Sequence, residues 1–144
     1  GGGASPIFRE VARLGVPYIL MSSRPNIISI MQDFAVKVQQ LRDFGQKDII
    51  LDPGFGFGKT LEENYAVLAR LGCLREMGLP VLVGVSRKSM LSRLVGTDAD
   101  GALNATTVVN TLAVALGGAS ILRVHDVREC VEMVRIYRQT MAGL

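Results

Sequence analysis

The chain has 144 residues, of which 49% are hydrophobic and 20% are charged, and this composition predicts a single domain over residues 1–144. The apolar content excludes intrinsic disorder, and no apolar run reaches the roughly 20 residues of a transmembrane helix. The net charge of +3 is compatible with an anionic ligand. The charges are scattered along the sequence, however, and do not form the basic cluster that is typical of nucleic-acid-binding proteins. Two cysteines without metal-ligand spacing favour a reducing, cytoplasmic compartment.

Helical patterns alternate with four apolar, β-branched runs along the chain. Strands are predicted at Val16–Met21, Asp48–Leu51, Pro80–Val85 and Ser120–Val124. Helices are predicted at Ala4–Leu14, Ile30–Phe44, Leu61–Met77, Ser89–Leu94, Asn104–Leu116 and Val127–Met141. Continuously apolar strands indicate a parallel sheet buried on both faces, and this order predicts an α/β fold of four βα units. A closed barrel takes about 250 residues, so the sheet is either open or half of a barrel.

Polar side chains follow each predicted strand at its carboxyl end. Asp52 follows the second strand, Ser86 and Lys88 follow the third, and Arg123 and His125 end the fourth. In both α/β architectures ligands bind at this edge of the sheet. The sequence therefore predicts a polar site there.

The loop 54–60 is rich in glycine but does not match a P-loop. In the G-x-x-x-x-G-K-[ST] pattern the first glycine would fall on Pro53, and the dinucleotide fingerprint would need a glycine at Lys59. The glycines either shape a tight strand-to-helix turn or cradle phosphate.

Asp52 either caps this turn or accepts a bidentate pair of hydrogen bonds from an amidine-like ring edge.

The cluster after the third strand also has two interpretations. Lys88, with its neighbours Arg87 and Ser89, either grips an anion or carboxylate, or is solvated while Ser86 caps the next helix.

Arg123 and His125 are two residues apart and share one face if they lie on a strand. His125 is the only histidine of the chain, and with Arg123 it is a candidate anion site, although a lone histidine is more often structural. Asp126 is predicted to cap the last helix.

Three motifs together resemble dihydropteroate synthase, a family of pterin-binding (β/α)₈ TIM barrels. They are Ile50–Lys59, Gly84–Ser89 and Arg123–Val127, in the family's order and at similar spacing. The resemblance implies that the chain corresponds to strands five to eight of the barrel and lacks the N-terminal half. It also implies a transferase of folate biosynthesis, which joins 6-hydroxymethyl-7,8-dihydropterin diphosphate to p-aminobenzoate and releases 7,8-dihydropteroate and diphosphate. Sulfonamides, which target this family, mimic the p-aminobenzoate.

The resemblance assigns substrate contacts to three groups of residues. These are Asp52, Met21, Gly84 and Lys88 for the pterin, Phe57 and Ser89 for p-aminobenzoate, and Arg123 and His125 for the diphosphate. Lys88, Arg123 and His125 are the implied catalytic residues. The family uses Mg²⁺, and the resemblance places its ligand in the N-terminal half, so no metal ligand is expected in this chain. One departure is Ser22, since the family usually has histidine after the methionine of this strand.

Two further hypotheses follow from the residues. A half-barrel with exposed sheet edges is expected to self-associate, as a homodimer or with another half, and such a chain binds a pterin or anion without catalysis. Alternatively, a nucleotide-binding α/β domain uses the Gly54–Lys59 loop. Under the transferase hypothesis, the isolated chain is expected to be weakly active or inactive, because half of the pterin contacts are missing.

Overall fold

The computed structural model describes residues 5–144, and within them four short strands alternate with helices. The strands are β1 (Tyr18–Met21), β2 (Ile49–Asp52), β3 (Leu82–Val83) and β4 (Ile121–Leu122). The α-helices are α1 (Pro6–Leu14), α2 (Ile27–Asp43), α3 (Leu61–Ala69), α4 (Ser89–Val95), α5 (Leu103–Ala115) and α6 (Val127–Met141). A 3₁₀ helix, Leu71–Met77, lies between α3 and β3. Ala4, the predicted start of the first helix, lies outside the described residues.

The strands pair in parallel and in chain order. β1 pairs with β2 so that Met21 lies beside Asp52, and β3 pairs with β4 so that Leu82 lies beside Ile121. A single parallel bridge between Leu51 and Val81 joins the two pairs. The predicted α/β class and parallel pairing are therefore confirmed. The strands follow one another in sequential order, without the reversal at a switch point that a doubly wound sheet has.

The main core lies between one face of the sheet and the helices. Alternate strand residues such as Leu20, Leu51 and Val83 are buried in it, because successive side chains of a strand point to opposite faces. Phe34 and Leu41, on the apolar stripe of α2, are fully buried against them. This packing fixes the orientation of the strands, and hence which side chains reach the opposite face.

That opposite face is partly open, so the prediction of strands buried on both faces is wrong at the two outer strands. Ile19 and Met21 of β1 are 46% and 39% exposed, and Ile121 of β4 is 37% exposed. A continuous apolar run shows that both faces of a strand carry apolar side chains. It does not show whether another element covers the second face.

The predicted helix Leu61–Met77 is divided at Arg70. Its first part is α3 and its second part is the 3₁₀ helix. Leu71 and Leu74 are both fully buried, and a spacing of three residues places two side chains on one face of a 3₁₀ helix. The remaining helices match their predicted ranges within about three residues, an ordinary uncertainty for helix ends.

Candidate active site

The carboxyl ends of the four strands bring a small set of polar side chains to one mouth of the sheet. The strand pairing puts Met21 and Asp52 side by side, and Arg123 extends from β4 toward them. The Arg123 Nη2 lies 3.8 Å from the Asp52 Oδ2. A Cβ on Gly84 would lie 2.7 Å from that same Arg123 nitrogen, so the absence of a side chain at Gly84 lets the guanidinium cross β3.

Asp52 caps the turn that follows β2, which is one of its two predicted roles. It is only 4% exposed, and its Oδ1 accepts a hydrogen bond of 2.9 Å from the backbone N–H of Gly54. Its Oδ2 faces Arg123 across a gap longer than a hydrogen bond. A buried carboxylate is costly unless it has partners; one oxygen is held by the turn, and the other remains available at the mouth.

Lys88 lies across the glycine loop and faces the same mouth. Its Nζ donates to the carbonyl oxygen of Phe55 and lies 4.8 Å from the centre of the Phe57 ring, within cation–π range. Burial lowers the pKa of Lys88 below its usual 10.5, Asp52 opposes this shift, and Arg123 adds to it. The Phe55 carbonyl and the Phe57 ring thus hold a partly desolvated ammonium at the site.

The glycine loop is a packing surface for the loop that follows β1. Gly54 and Gly58 have positive φ angles of 73° and 64°. A Cβ at these positions would lie 2.3 Å from the Ser22 carbonyl oxygen and 2.6 Å from that of Ser23. The Lys59 Nζ donates to the Gly54 carbonyl oxygen at 2.9 Å, and burial lowers the pKa of Lys59. The carbonyl groups of Ser22 and Ser23 therefore lie directly against the glycines, and this geometry favours the tight-turn interpretation.

Two polar residues that the sequence did not single out support these loops. Asp33, on α2, accepts a hydrogen bond of 2.7 Å from the Ser22 hydroxyl, so the serine that replaces the expected histidine anchors the loop to the helix. Asn64, which is buried on α3, accepts the backbone N–H of Gly56 at 2.9 Å. Both contacts join a loop residue to a residue of a helix, and no local sequence pattern predicts them.

The loops after β3 and β4 are joined by two side-chain contacts. The Ser86 Oγ lies 3.0 Å from the His125 Nδ1. The Arg87 guanidinium donates to both oxygens of Asp126, at 2.7 and 3.3 Å. This hydrogen bonding holds the pKa of Asp126 below its usual range and raises that of Arg87.

These contacts correct three predictions. Asp126 occupies the N-cap position of α6, but its side chain makes no capping hydrogen bond, because Arg87 engages both of its oxygens. Arg87 therefore does not join Lys88 in an anion grip. Ser86 does not cap α4, whose N-cap position is held by Lys88 without a side-chain bond. The backbone of Arg87 has a φ of 57°, and its side chain reaches Asp126 in the β4 loop.

The remaining candidates lie at the rim. Phe57 is 46% exposed, and Ser89 is exposed at the first residue of α4. His125 is also exposed. Exposure alternates along 121–126, and Arg123 and His125 are both among the more exposed residues of this alternation. The structure thus brings Met21, Asp52, Gly84, Lys88 and Arg123 together at the mouth and leaves Ser89 at its margin.

No group of three His, Cys, Asp or Glu side chains within residues 5–144 has the arrangement of a metal site. Asp52, the buried carboxylate of the mouth, has one oxygen held by a backbone N–H and the other facing a guanidinium. This donor set does not fit Mg²⁺, which prefers several oxygen ligands. Among the same residues, no helix has the length and apolar character needed to span a bilayer.

Curated relatives are similar to this chain over part of their length. Dihydropteroate synthase of Escherichia coli strain K12 is 44% identical over 98 residues, which cover 68% of this chain and 34% of that protein. Dihydropteroate synthase of Mycobacterium leprae is 37% identical over an alignment of 159 positions, which covers 94% of this chain and 56% of that protein. The chain thus spans between about a third and a little over half of these relatives.

Solved structures show the same partial coverage. A Yersinia pestis dihydropteroate synthase in a sulfonamide drug complex has a TM-score of 0.89 and 34% identity, covering 95% of this chain and 55% of that one. A Coxiella burnetii dihydropteroate synthase with pteroic acid has a TM-score of 0.87 and 32% identity, with coverages of 94% and 55%. A Xanthomonas albilineans dihydropteroate synthase with 4-aminobenzoic acid also has a TM-score of 0.87 and 32% identity, with coverages of 94% and 53%.

A family model described as "Pterin binding enzyme" matches residues 5–125, a range that contains Asp52, Lys88, Arg123 and His125. The fold, the convergence of Asp52, Lys88 and Arg123 at one mouth and the relatives all agree with that match. The chain belongs to the family of pterin binding enzymes and is similar to dihydropteroate synthases.

Proposed function

We propose that this chain is the C-terminal half of a dihydropteroate synthase and corresponds to strands five to eight of its (β/α)₈ barrel. The sequential parallel order of the strands supports this assignment. So does the match to between 53% and 55% of the Xanthomonas and Coxiella chains. The whole enzyme joins 6-hydroxymethyl-7,8-dihydropterin diphosphate to p-aminobenzoate and releases 7,8-dihydropteroate and diphosphate.

The observation that carries this proposal is the half-engaged carboxylate of Asp52. Its Oδ2 is buried, faces the mouth and lies beyond hydrogen-bond distance from Arg123. An amino-pyrimidine ring presents adjacent N–H donors, which a carboxylate accepts in a planar, charge-assisted arrangement. Met21, beside Asp52 in the sheet and 39% exposed, supplies apolar surface for the flat ring, and Gly84 lets the Arg123 guanidinium lie beside it.

Arg123 and His125 are proposed to bind the diphosphate. The Arg123 side chain is 58% exposed, and its 3.8 Å contact with Asp52 is too loose to occupy its donors. As the bond between the pterin methylene and the diphosphate oxygen breaks, the leaving group takes the electron pair and gains negative charge. Fixed donors at this position stabilise that charge in the transition state.

Lys88, Phe57 and Ser89 are proposed to position p-aminobenzoate. The Phe57 ring, held under the Lys88 ammonium, offers a face for an aromatic substrate, and the Ser89 hydroxyl suits a carboxylate. The amine attacks the methylene carbon through its lone pair, forms the carbon–nitrogen bond and loses a proton. The amine is already nucleophilic, so these residues act by holding it within reach.

Magnesium enters no step at these residues, since their donor set does not fit it. We assign the ion, together with the remaining pterin contacts, to the other half of the barrel. Loss of such donors commonly costs orders of magnitude in rate. The chain by itself is therefore expected to turn over weakly or not at all while keeping part of its affinity for the pterin. The predicted cytoplasmic location stays a prediction.

The proposal is tested by replacing Asp52 with asparagine and titrating the chain with 6-hydroxymethyl-7,8-dihydropterin diphosphate by calorimetry. Loss of the charge-assisted pair is expected to weaken binding about 100-fold, while the asparagine Oδ1 can still cap Gly54. Asp48→Asn is the matched control, because Asp48 is exposed just before the opposite end of β2. Equal affinities of the wild type and Asp52→Asn would refute the pterin site, and ATP binding that ignores Asp52→Asn would support a nucleotide-binding domain instead.

Self-association is the second proposal, and the open face of the sheet favours it. The exposed side chains of Ile19, Met21 and Ile121 lie on the outer strands. Within residues 5–144, β1 pairs only with β2, and β4 only with β3. Unpaired strand edges beside apolar surface favour pairing with another chain. We propose a second copy of this chain as the partner when no other half is present.

A further inference from the structure

Ser86 is buried between the β3 and β4 loops, and the transferase chemistry described above does not use it. It is 7% exposed. Its Oγ accepts the backbone N–H of His125 at 3.2 Å and lies 3.0 Å from the His125 Nδ1. One hydroxyl therefore meets both the main chain and the ring of the only histidine in the chain.

The hydrogen-bonding capacity of the hydroxyl decides how the ring is protonated. A serine hydroxyl has one proton to donate, and a neutral imidazole carries its proton on either Nδ1 or Nε2. If Nδ1 carries the proton, the Ser86 oxygen accepts twice and its own proton has no other acceptor within residues 5–144. If Nδ1 is bare, the hydroxyl donates to it and every group is paired. A buried donor without a partner shifts such an equilibrium by roughly tenfold or more.

The surrounding contacts hold this geometry in place. Arg87, the next residue, forms the two-pronged pair with Asp126, which is next to His125. The Arg87 backbone N–H donates to the Thr106 Oγ1 at 3.2 Å. The Arg87–Asp126 pair thus holds the two loops together directly beside the Ser86–His125 contact, and Thr106 of α5 fixes the backbone of the first loop.

We infer that Ser86 is a positioning residue, which holds neutral His125 in the tautomer with its proton on Nε2. The exposed ring, at the rim of the mouth, then carries its N–H donor on Nε2, which is the donor that the neutral imidazole offers to an anion. The identification of that anion as diphosphate rests on the proposed function; the tautomer does not.

The tautomer is measurable without any substrate, by long-range ¹H–¹⁵N NMR of the 144-residue chain at a pH where the imidazole is neutral. A single histidine gives a single imidazole pattern. We expect an unprotonated Nδ1 and a protonated Nε2 in the wild type. In Ser86→Ala the Nδ1 resonance is expected to move toward the averaged value of a histidine in an unstructured peptide, and Ser86→Thr is expected to restore the wild-type pattern. A protonated Nδ1 in the wild type overturns the inference, even if the alanine variant does not fold.

Titration with inorganic diphosphate separates this inference from the proposed function. Ser86→Ala is expected to bind diphosphate about three- to tenfold more weakly than the wild type, with Ser86→Thr close to the wild type. A wild-type chain with the expected tautomer but no affinity for diphosphate supports the positioning role and contradicts the proposed diphosphate site. Diphosphate binding that Ser86→Ala leaves unchanged contradicts the inferred link between the serine and the anion.

Discussion

Replacing Gly54 with alanine tests whether the glycine loop packs against the β1 loop. Gly54 has a φ of 73°, and a Cβ there would lie 2.3 Å from the Ser22 carbonyl oxygen. The obstacle is main chain, so it cannot move aside as a flexible side chain would. Gly78 is a matched control, with a φ of 67° and nothing within 4 Å of an added Cβ.

The expected losses differ between the two positions. An alanine in the left-handed conformation destabilises the folded state by about 1–2 kcal/mol. Alanine also lowers the entropy of the unfolded chain, which offsets about 0.4–1 kcal/mol of that loss. This net cost of about 1 kcal/mol applies to Gly78→Ala and Gly54→Ala alike. The overlap with Ser22 adds about 1–3 kcal/mol at Gly54, as overpacking does in a close-packed interior. Gly54→Ala is therefore expected to lower the free energy of unfolding by about 2–4 kcal/mol.

Urea unfolding followed by far-ultraviolet circular dichroism measures both variants beside the wild type. The denaturant midpoint reports stability, and equal slopes show that the same surface is exposed on unfolding. If the two variants lose the same stability, the close approach to Ser22 is not tight, and the argument that this contact requires glycine fails. A larger loss for Gly78→Ala would contradict the geometry outright.

Three more predictions concern the ion pair, the mouth and the open face. The hydrogen bond from Arg87 lowers the pKa of Asp126 below its usual 3.8, so the ion pair stabilises the fold above the unfolded pKa and loses this contribution as the pH falls through the folded pKa. The stability gap between the wild type and Asp126→Asn should therefore be present near neutral pH and shrink below about pH 4, as measured by urea unfolding; a gap that widens on acidification contradicts this. Arg123→Ala should weaken diphosphate binding about tenfold or more and p-aminobenzoate binding much less, as measured by calorimetry; equal losses would count against a leaving-group role. Sedimentation velocity should show association of the chain that increases with concentration, and a strictly monomeric profile would exclude the proposed self-association.

Much of the framework follows from local sequence. Apolar β-branched runs separated by helical periodicity predict parallel βα units, and the polar residues directly after each run predict which edge carries the site. Asp52 illustrates this, because its position at the end of a buried strand already requires partners. The motifs around Asp52, Lys88 and Arg123 also suffice for the resemblance to dihydropteroate synthase, which the family match supports.

Tertiary structure alone decided which side chains meet. Ser86 and His125, like Arg87 and Asp126, are 39 residues apart in the chain, and no periodicity links residues at that separation. Local patterns report the burial and backbone preference of single elements, whereas a hydrogen bond between two loops depends on the packing that brings the loops together. Asp126 therefore resembles a helix cap in the sequence and is an ion-pair partner in the fold, because the guanidinium that reaches it comes from the loop after β3.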